Sequence, residues 1–258
     1  MSALVLLVVL GALYAWGVRR ARRPWPWWRT AAMAGGLIAL GVAFSPPLDA
    51  AADERLSVHM VEHLLVGMLA PALIALAAPV GLALRALPRD PRRALGRALR
   101  GRVLGTLARP IVAFPLATAV LFAYHLSAPL FDLGEDVPVV HAVEHAALFW
   151  TALACAMLVV GADPLPHRPS GVGVVGWTSL PMIAMAGIGA AYGSWGTVHF
   201  AHYGSLADQH SAGTVMWIGA AALVPATVLA SWLALWREEV RQRRRDAASL
   251  RPAAGVVE

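Results

Sequence analysis

Long apolar runs, separated by short segments rich in arginine or in acidic residues, set the organisation of this chain. The runs fall near 2–18, 31–47, 57–83, 110–127, 139–161, 173–193 and 212–236. Most approach the ~20 consecutive apolar residues that carry a helix across a bilayer. The pattern therefore predicts an all-α integral membrane protein, a seven-transmembrane-helix bundle. Pro71, Pro79, Pro115, Pro181 and Pro225 lie inside runs and are expected to bend helices or shape the bundle. Gly187, Gly189, Ala190, Ala191 and Gly193 give the sixth run a small-residue surface suited to close helix approach. Composition agrees, with 59% apolar and 14% charged residues and a mean hydropathy of +0.63. Residues 1–258 read as one polytopic membrane domain, with a basic tail at 237–258.

Charge orients the bundle. All 21 basic residues are arginine, and every one except Arg55 falls in 19–29, 85–109, 162–172 or the tail from 237. The run Arg19, Arg20, Arg22, Arg23 follows the first apolar stretch, the reverse of a cleavable signal peptide. Positive charge concentrates in cytoplasmic loops, so the N-terminus is expected outside and the C-terminus in the cytoplasm. Trp16, Trp25, Trp27, Trp28 and Trp236 then form an aromatic belt at the cytoplasmic interface. The net charge of +6 comes from arginines flanking spans, which points to anionic membrane lipid and not to nucleic acid. Cys155 is the only cysteine, which excludes an intramolecular disulfide and a thiolate cluster.

With that sidedness, eight of the nine histidines lie at or near the outer side, and only His167 is cytoplasmic. Two copies of one pattern stand out, His59-Met-Val-Glu-His63 and His141-Ala-Val-Glu-His145, opening the third and fifth runs. On a helix, positions i and i+4 are about 40° apart around the axis and roughly 6 Å apart along it. Each pattern thus puts two imidazoles on one face, the common way for a helix to offer two metal ligands. His125 closes the fourth run, and His199, His202 and His210 lie between the sixth and seventh. Imidazole suits copper and zinc, and thioethers from Met60, Met68, Met182, Met185 or Met216 would favour Cu(I). Methionine in a membrane helix is also ordinary packing. Glu62 and Glu144 adjoin ligand histidines and read either as groups that fix an imidazole tautomer or carry a proton, or as solvated carboxylates. Asp49, Asp53 and Glu54 before the first pattern, and Asp132, Glu135 and Asp136 before the second, give the outer face a negative potential. Asp208 or Ser211 is a candidate N-cap for the seventh run.

Further elements carry a family resemblance. They are Phe44-Ser-Pro-Pro-Leu-Asp49, the first His pattern with Leu64-Leu-Val-Gly-Met-Leu-Ala-Pro71 and Ala78-Pro79, and Tyr124-His-Leu-Ser-Ala-Pro129. The second His pattern leads to Phe149-Trp150, and Asp208-Gln-His-Ser-Ala-Gly-Thr-Val-Met-Trp217 follows. In this order, over about residues 30 to 240, they resemble the CtaG-type cytochrome c oxidase assembly factors. The resemblance implies a multi-pass protein of the bacterial plasma membrane, needed to form active haem–copper oxidase and proposed to place copper. The motif residues it carries over are His59, Met60, His63, His125, His141, His145, Asp208 and Gln209. The family often has Gln where Glu62 stands, which alters the charge of any site there.

The expected function is a metallochaperone that binds copper transiently near the outer face and turns over no substrate. His59, His63, His141 and His145 would be the ligands, with His125 or Met60 exchangeable and Glu62, Glu144, Asp208 and Gln209 supporting the ligands without touching the ion. An extracytoplasmic copper donor and an oxidase subunit as receiver are the implied partners. Three alternatives remain: a metal-free structural scaffold, a haem-binding electron carrier with one axial histidine from each of two helices, and an intramembrane metalloprotease. The last rests on the His-x-x-Glu-His pattern, but the sequence offers no convincing third ligand.

Overall fold

The computed structural model describes residues 3–21, 23–165 and 167–249, without the side chains of residues 3, 248 and 249. Residue 2 of the first predicted run, Arg22, Pro166 and the tail from 250, with Arg251, lie outside the described residues. All the described elements of regular structure are helical.

Helices α1 (Ala3–Arg20) and α2 (Trp27–Ala43) flank a proline-containing link at the arginine-rich end. There guanidinium groups stack on indoles, Arg20 over Trp16 at 5.1 Å and Arg29 over Trp25 at 4.8 Å. Ser45-Pro46-Pro47 then stops α2, because proline cannot supply the next helical hydrogen bonds, and α3 (Pro46–Glu54) leaves at 51°.

The third predicted run is longer than expected and not uniform. It comprises α4 (Leu56–Leu64), a wide turn at Leu65–Leu69, α5 (Ala70–Ala77) and α6 (Pro79–Ala86). The wide π-type turn precedes Pro71, whose ring would otherwise press on the carbonyl four residues back. At Ala78 the backbone turns left-handed, with φ 52°. The Ala77 carbonyl freed by this break accepts a bond from the Tyr14 hydroxyl at 2.8 Å. Tyr14 in turn accepts from Trp25 Nε1 at 2.9 Å. The N-terminus of α6 has no side-chain cap of its own; Asp163, from the loop after α11, accepts the Gly81 N–H at 2.5 Å. Burial pushes the Asp163 carboxyl above its ordinary range, and the Gly81 N–H offsets part of that shift.

Two helices with no buried residues follow, the arginine-rich α7 (Arg89–Leu99) and the short α8 (Arg102–Leu107). Beyond them come α9 (Pro110–Leu126), α10 (Ala128–Asp136), α11 (Pro138–Val160), α12 (Gly171–Ser194) and α13 (Leu206–Ser249). The break between α9 and α10 at Ser127 turns the chain by 79°. As far as residue 249 the predicted tail continues α13 as helix, since its Arg, Glu, Gln and Ala residues are strong helix formers. Arg243 and Glu239 pair one turn apart at 2.6 Å. Neither Asp208 nor Ser211 caps α13. The helix begins at Leu206, and Ser205 Oγ accepts the Asp208 N–H at 3.2 Å.

Among the described residues, four helical stretches are long and apolar enough to cross a membrane: Leu56–Ala86, Pro138–Val160, Gly171–Ser194 and Leu206–Ala247. The bent pairs α2–α3 and α9–α10 raise that to six if each is one span. Helix α1 adds an apolar surface, with Leu4, Val5, Leu6, Val8, Val9 and Leu13 exposed. Among the described residues three apolar clusters hold the bundle, the smallest made of Ala113, Phe114, Cys155 and Leu158, beside two larger ones. One gathers Tyr14, Met33, Leu40, Ile74, Leu82 and Leu153. The other gathers Leu56, Met60, Phe131, Ile188, Tyr192, Phe200 and Met216.

Part of the small-residue surface of α12 serves the expected purpose. A Cβ on Gly189 would meet the Gly213 carbonyl at 2.7 Å, and one on Gly213 would meet the Gly189 carbonyl at 2.6 Å. Gly187 and Gly193 face open space. Gly213→Val should therefore lower stability by about 1–3 kcal/mol through overpacking, read as a lower unfolding temperature of the detergent-solubilised protein. Gly187→Ala, which adds a carbon with nothing within 4 Å, should not lower it and should raise it slightly, since alanine favours a helix interior over glycine.

Candidate metal centre

The first His pattern fills the second half of the short α4 and the second lies near the start of α11, at the end of the bundle opposite the arginine-rich segments. The i,i+4 pairs lie ring against ring, His59 with His63 at 4.2 Å between centroids and His141 with His145 at 4.4 Å. The two helices face each other across the site, with His59–His141 centroids at 5.5 Å and His63–His145 at 5.1 Å. His59, His63 and His145 are buried, and so are Glu62 and Glu144. Phe44, from the break after α2, packs edge-on against His145, and Phe131 of α10 lies against His59.

The carboxylates cross over. Glu144 Oε1 on α11 lies 3.6 Å from His63 Nε2 on α4, and Glu62 Oε1 on α4 lies 3.6 Å from His145 Nε2 on α11. Two donor groups result, each with its ligand atoms within 4.8 Å of one another and without a shared residue. They are His59, His63 and Glu144, and Glu62, His141 and His145. Nε2 of His59, His63 and His145 and both oxygens of Glu62 and Glu144 are buried without a hydrogen-bond partner. Buried polar atoms in native proteins are nearly always satisfied, so this concentration of lone pairs marks a place that fits a cation.

Surrounding hydrogen bonds fix which ring nitrogen is bare. Leu121 O can only accept, so the His125 Nδ1–H donates to it at 2.8 Å. In the neutral His125 ring, Nε2 then accepts from the His63 Nδ1–H at 3.0 Å, leaving the lone pair of His63 on Nε2. His125 is held from behind, because the Tyr192 hydroxyl donates to its carbonyl at 2.8 Å, one of the carbonyls orphaned where α9 ends. At His59 the same logic runs through a phenol. The Tyr203 hydroxyl donates to Glu135 Oε2 at 3.1 Å and so accepts from the His59 Nδ1–H at 3.1 Å, which again leaves Nε2 bare. Glu135 Oε1 also lies 3.5 Å from His59 Nδ1 and 3.7 Å from His141 Nδ1, spanning the first histidine of both patterns. Burial raises the Tyr203 phenol pKa, and the neighbouring Glu135 carboxylate adds to the shift, so the phenol keeps the proton it donates.

The other expected residues separate. Both ring nitrogens of His125 are engaged, so it orients His63 and has no lone pair left for an ion. Met60 packs in the apolar cluster with Met185 and Met216, and Met68 and Met182 pack against that cluster. Asp208 accepts from the backbone N–H and hydroxyl of Ser57, tying the start of α4 to α13. Gln209 accepts the His199 N–H at 2.8 Å and donates to Thr197 O at 3.2 Å, tying down the loop before α13. His199 stacks on Trp195, and His210 bonds the Trp195 carbonyl. His202 bonds Asp53 O at 3.0 Å at the rim.

Sequence reasoning missed two residues here. Glu135 stood in an acidic segment credited only with a general potential, and Tyr203 is a loop residue with no motif around it. Only the 79° turn between α9 and α10 brings Glu135 over the histidines.

Two imidazoles with a carboxylate form a nitrogen–oxygen donor set suited to a divalent first-row ion, and the expected thioether argument for Cu(I) is not supported. The rings pack too closely to admit a haem between His63 and His145, at 5.1 Å between centroids. The third ligand the metalloprotease reading lacked is present, since Glu144 completes His59 and His63. The same carboxylates are nearly sealed, at 1% exposure for Glu62 and Glu144, which leaves no cleft for a peptide.

The sequence model of the cytochrome c oxidase caa3 assembly factor family matches residues 12–239, and the chain belongs to that family. Assembly is not a catalytic role, and the oxidase is the partner that membership implies. No curated protein and no solved structure is a match to the chain.

Tyr192→Phe should leave the His125 carbonyl buried without a donor and cost about 1–3 kcal/mol. Thermal unfolding of the solubilised protein checks this: the midpoint should fall, whereas an unchanged midpoint would remove Tyr192 from the support of the site.

Proposed function

We propose that this caa3 assembly factor binds copper as cargo at the crossed His/Glu centre and hands it to an oxidase subunit. In this reading it crosses the bacterial plasma membrane seven times, with the N-terminus outside and the C-terminus in the cytoplasm. The arginine asymmetry of the sequence supports that orientation, and the apolar surface of α1 supports its counting as a span. The centre then opens toward the outer side, where an extracytoplasmic donor would deliver the ion.

The observation that carries this reading is the set of buried, unpartnered nitrogen and oxygen atoms on His59, His63, His145, Glu62 and Glu144. His141 completes the second donor group. Copper bound there supplies the positive charge that two buried carboxylates lack. His125 and Tyr203 fix the tautomers of His63 and His59, and Glu135 approaches the outer histidine of each pattern. Handover would replace ligands one at a time, beginning at His141, the more exposed of the four imidazoles at 22% of its side chain. Asp208 and Gln209 act at a distance in this reading, holding α4 and the loop that carries Tyr203.

One observation favours a metal-free scaffold instead. The crossed contacts at 3.6 Å would serve as ion pairs if the histidines were protonated, closing the bundle without an ion.

Copper content and visible absorbance of the purified protein separate the readings, alongside oxidase activity in membranes of cells relying on each variant. Copper at stoichiometric or higher occupancy should bind the wild type, without a haem Soret band. The variant with His59, His63, His141 and His145 replaced by Ala should lose it, together with oxidase activity. Loss of oxidase activity in that variant with no copper in the wild type would favour the scaffold.

A further inference from the structure

We infer that the centre holds two divalent ions, one in each crossed half, and not a single shared ion. The inference rests on the copper-binding reading above and specifies how that site is filled.

The first half is His59 and His63 from α4 with Glu144 from α11; the second is His141 and His145 from α11 with Glu62 from α4. Each half is complete by itself, with two imidazoles and one carboxylate, and no residue belongs to both. The halves are built alike. In each, the inner histidine turns Nε2 toward the opposite helix's carboxylate at 3.6 Å. In each, the outer histidine turns Nδ1 toward Glu135, at 3.5 and 3.7 Å. One five-residue pattern on two facing helices thus produces two equivalent pockets related by an approximate twofold, with Glu135 near the axis.

A single ion does not satisfy this arrangement. Cu(II) takes four strong ligands in its square-planar or tetragonal arrangement. Six candidate ligand residues would then leave two without a metal, in a place where the lone pairs of both carboxylates are sealed from water and unpartnered. Two ions with three protein ligands each use every residue and leave each ion an open position, the condition for accepting and releasing cargo. Helix bundles that hold metal pairs likewise draw Glu and His from facing helices. The carboxylates lie where they neutralise part of the charge of two neighbouring cations, and Glu135, Asp49 and Asp53 add negative potential around the centre.

The test is titration of the full-length purified protein with Cu(II), read by metal analysis and electron paramagnetic resonance. Two ions per chain with a dipole-coupled spectrum are expected for the wild type. His141→Ala with His145→Ala should give one ion and an isolated Cu(II) signal, and His59→Ala with His63→Ala should do the same. Glu62→Gln and Glu144→Gln, which preserve shape, should each weaken one of the two binding steps and spare the other. One ion per chain in the wild type with an isolated signal would overturn the inference while leaving the copper-binding reading standing. No bound copper would overturn both. Two ions that persist when all four histidines are replaced would put the copper elsewhere and overturn both as well. The wild-type spectrum decides between one ion and two even if a variant fails to fold.

Discussion

Two carboxylates sealed inside an apolar bundle are the constraint around which the rest of this structure is arranged. Moving a charged carboxylate out of water costs on the order of several kcal/mol even after relaxation, so Glu62 and Glu144 need positive charge or protons close at hand. Each faces an imidazole of the opposite helix at 3.6 Å, so neither helix satisfies its own carboxylate. The placement of α11 is therefore specified by polar chemistry against α4 at one end and by apolar packing further along, where Leu153 shares a cluster with Val66, Ala70 and Ile74 of the wide turn and α5.

The irregular backbone around the site serves the same end. The break after α2 delivers Phe44 to His145, the turn between α9 and α10 delivers Phe131 and Glu135 to His59, and the loop before α13 delivers Tyr203. Non-helical backbone at such depth persists only where its polar groups find partners within the protein. Ser45 Oγ on the Val42 carbonyl, Tyr192 on the His125 carbonyl and Gln209 on the His199 N–H supply them.

Periodicity made the helices legible because every span had to read as an apolar run, and the His patterns were legible because i,i+4 spacing has one geometric meaning on a helix. Partner choice was not. The crossing of Glu62 to His145 and Glu144 to His63 depends on how two helices are rotated and staggered, which no local pattern encodes. That is why both glutamates read as supports for the ligand histidines when each offers an oxygen to a donor group. His125 read as a ligand because its type fits; its role as an orienting residue depends on the Leu121 carbonyl and on His63, one turn and one helix away. Met60 adjoins His59 in sequence, yet one residue of helix turns it about 100° into the apolar cluster.

X-ray absorption at the copper K-edge of the copper-loaded, full-length protein measures the donor atoms of the proposed centre directly. The account predicts a shell of nitrogen and oxygen near 2 Å with the outer scattering of imidazole, and no sulfur, since the methionines singled out in the sequence pack in or against the apolar cluster. A sulfur shell, or a shell without imidazole scattering, would contradict it.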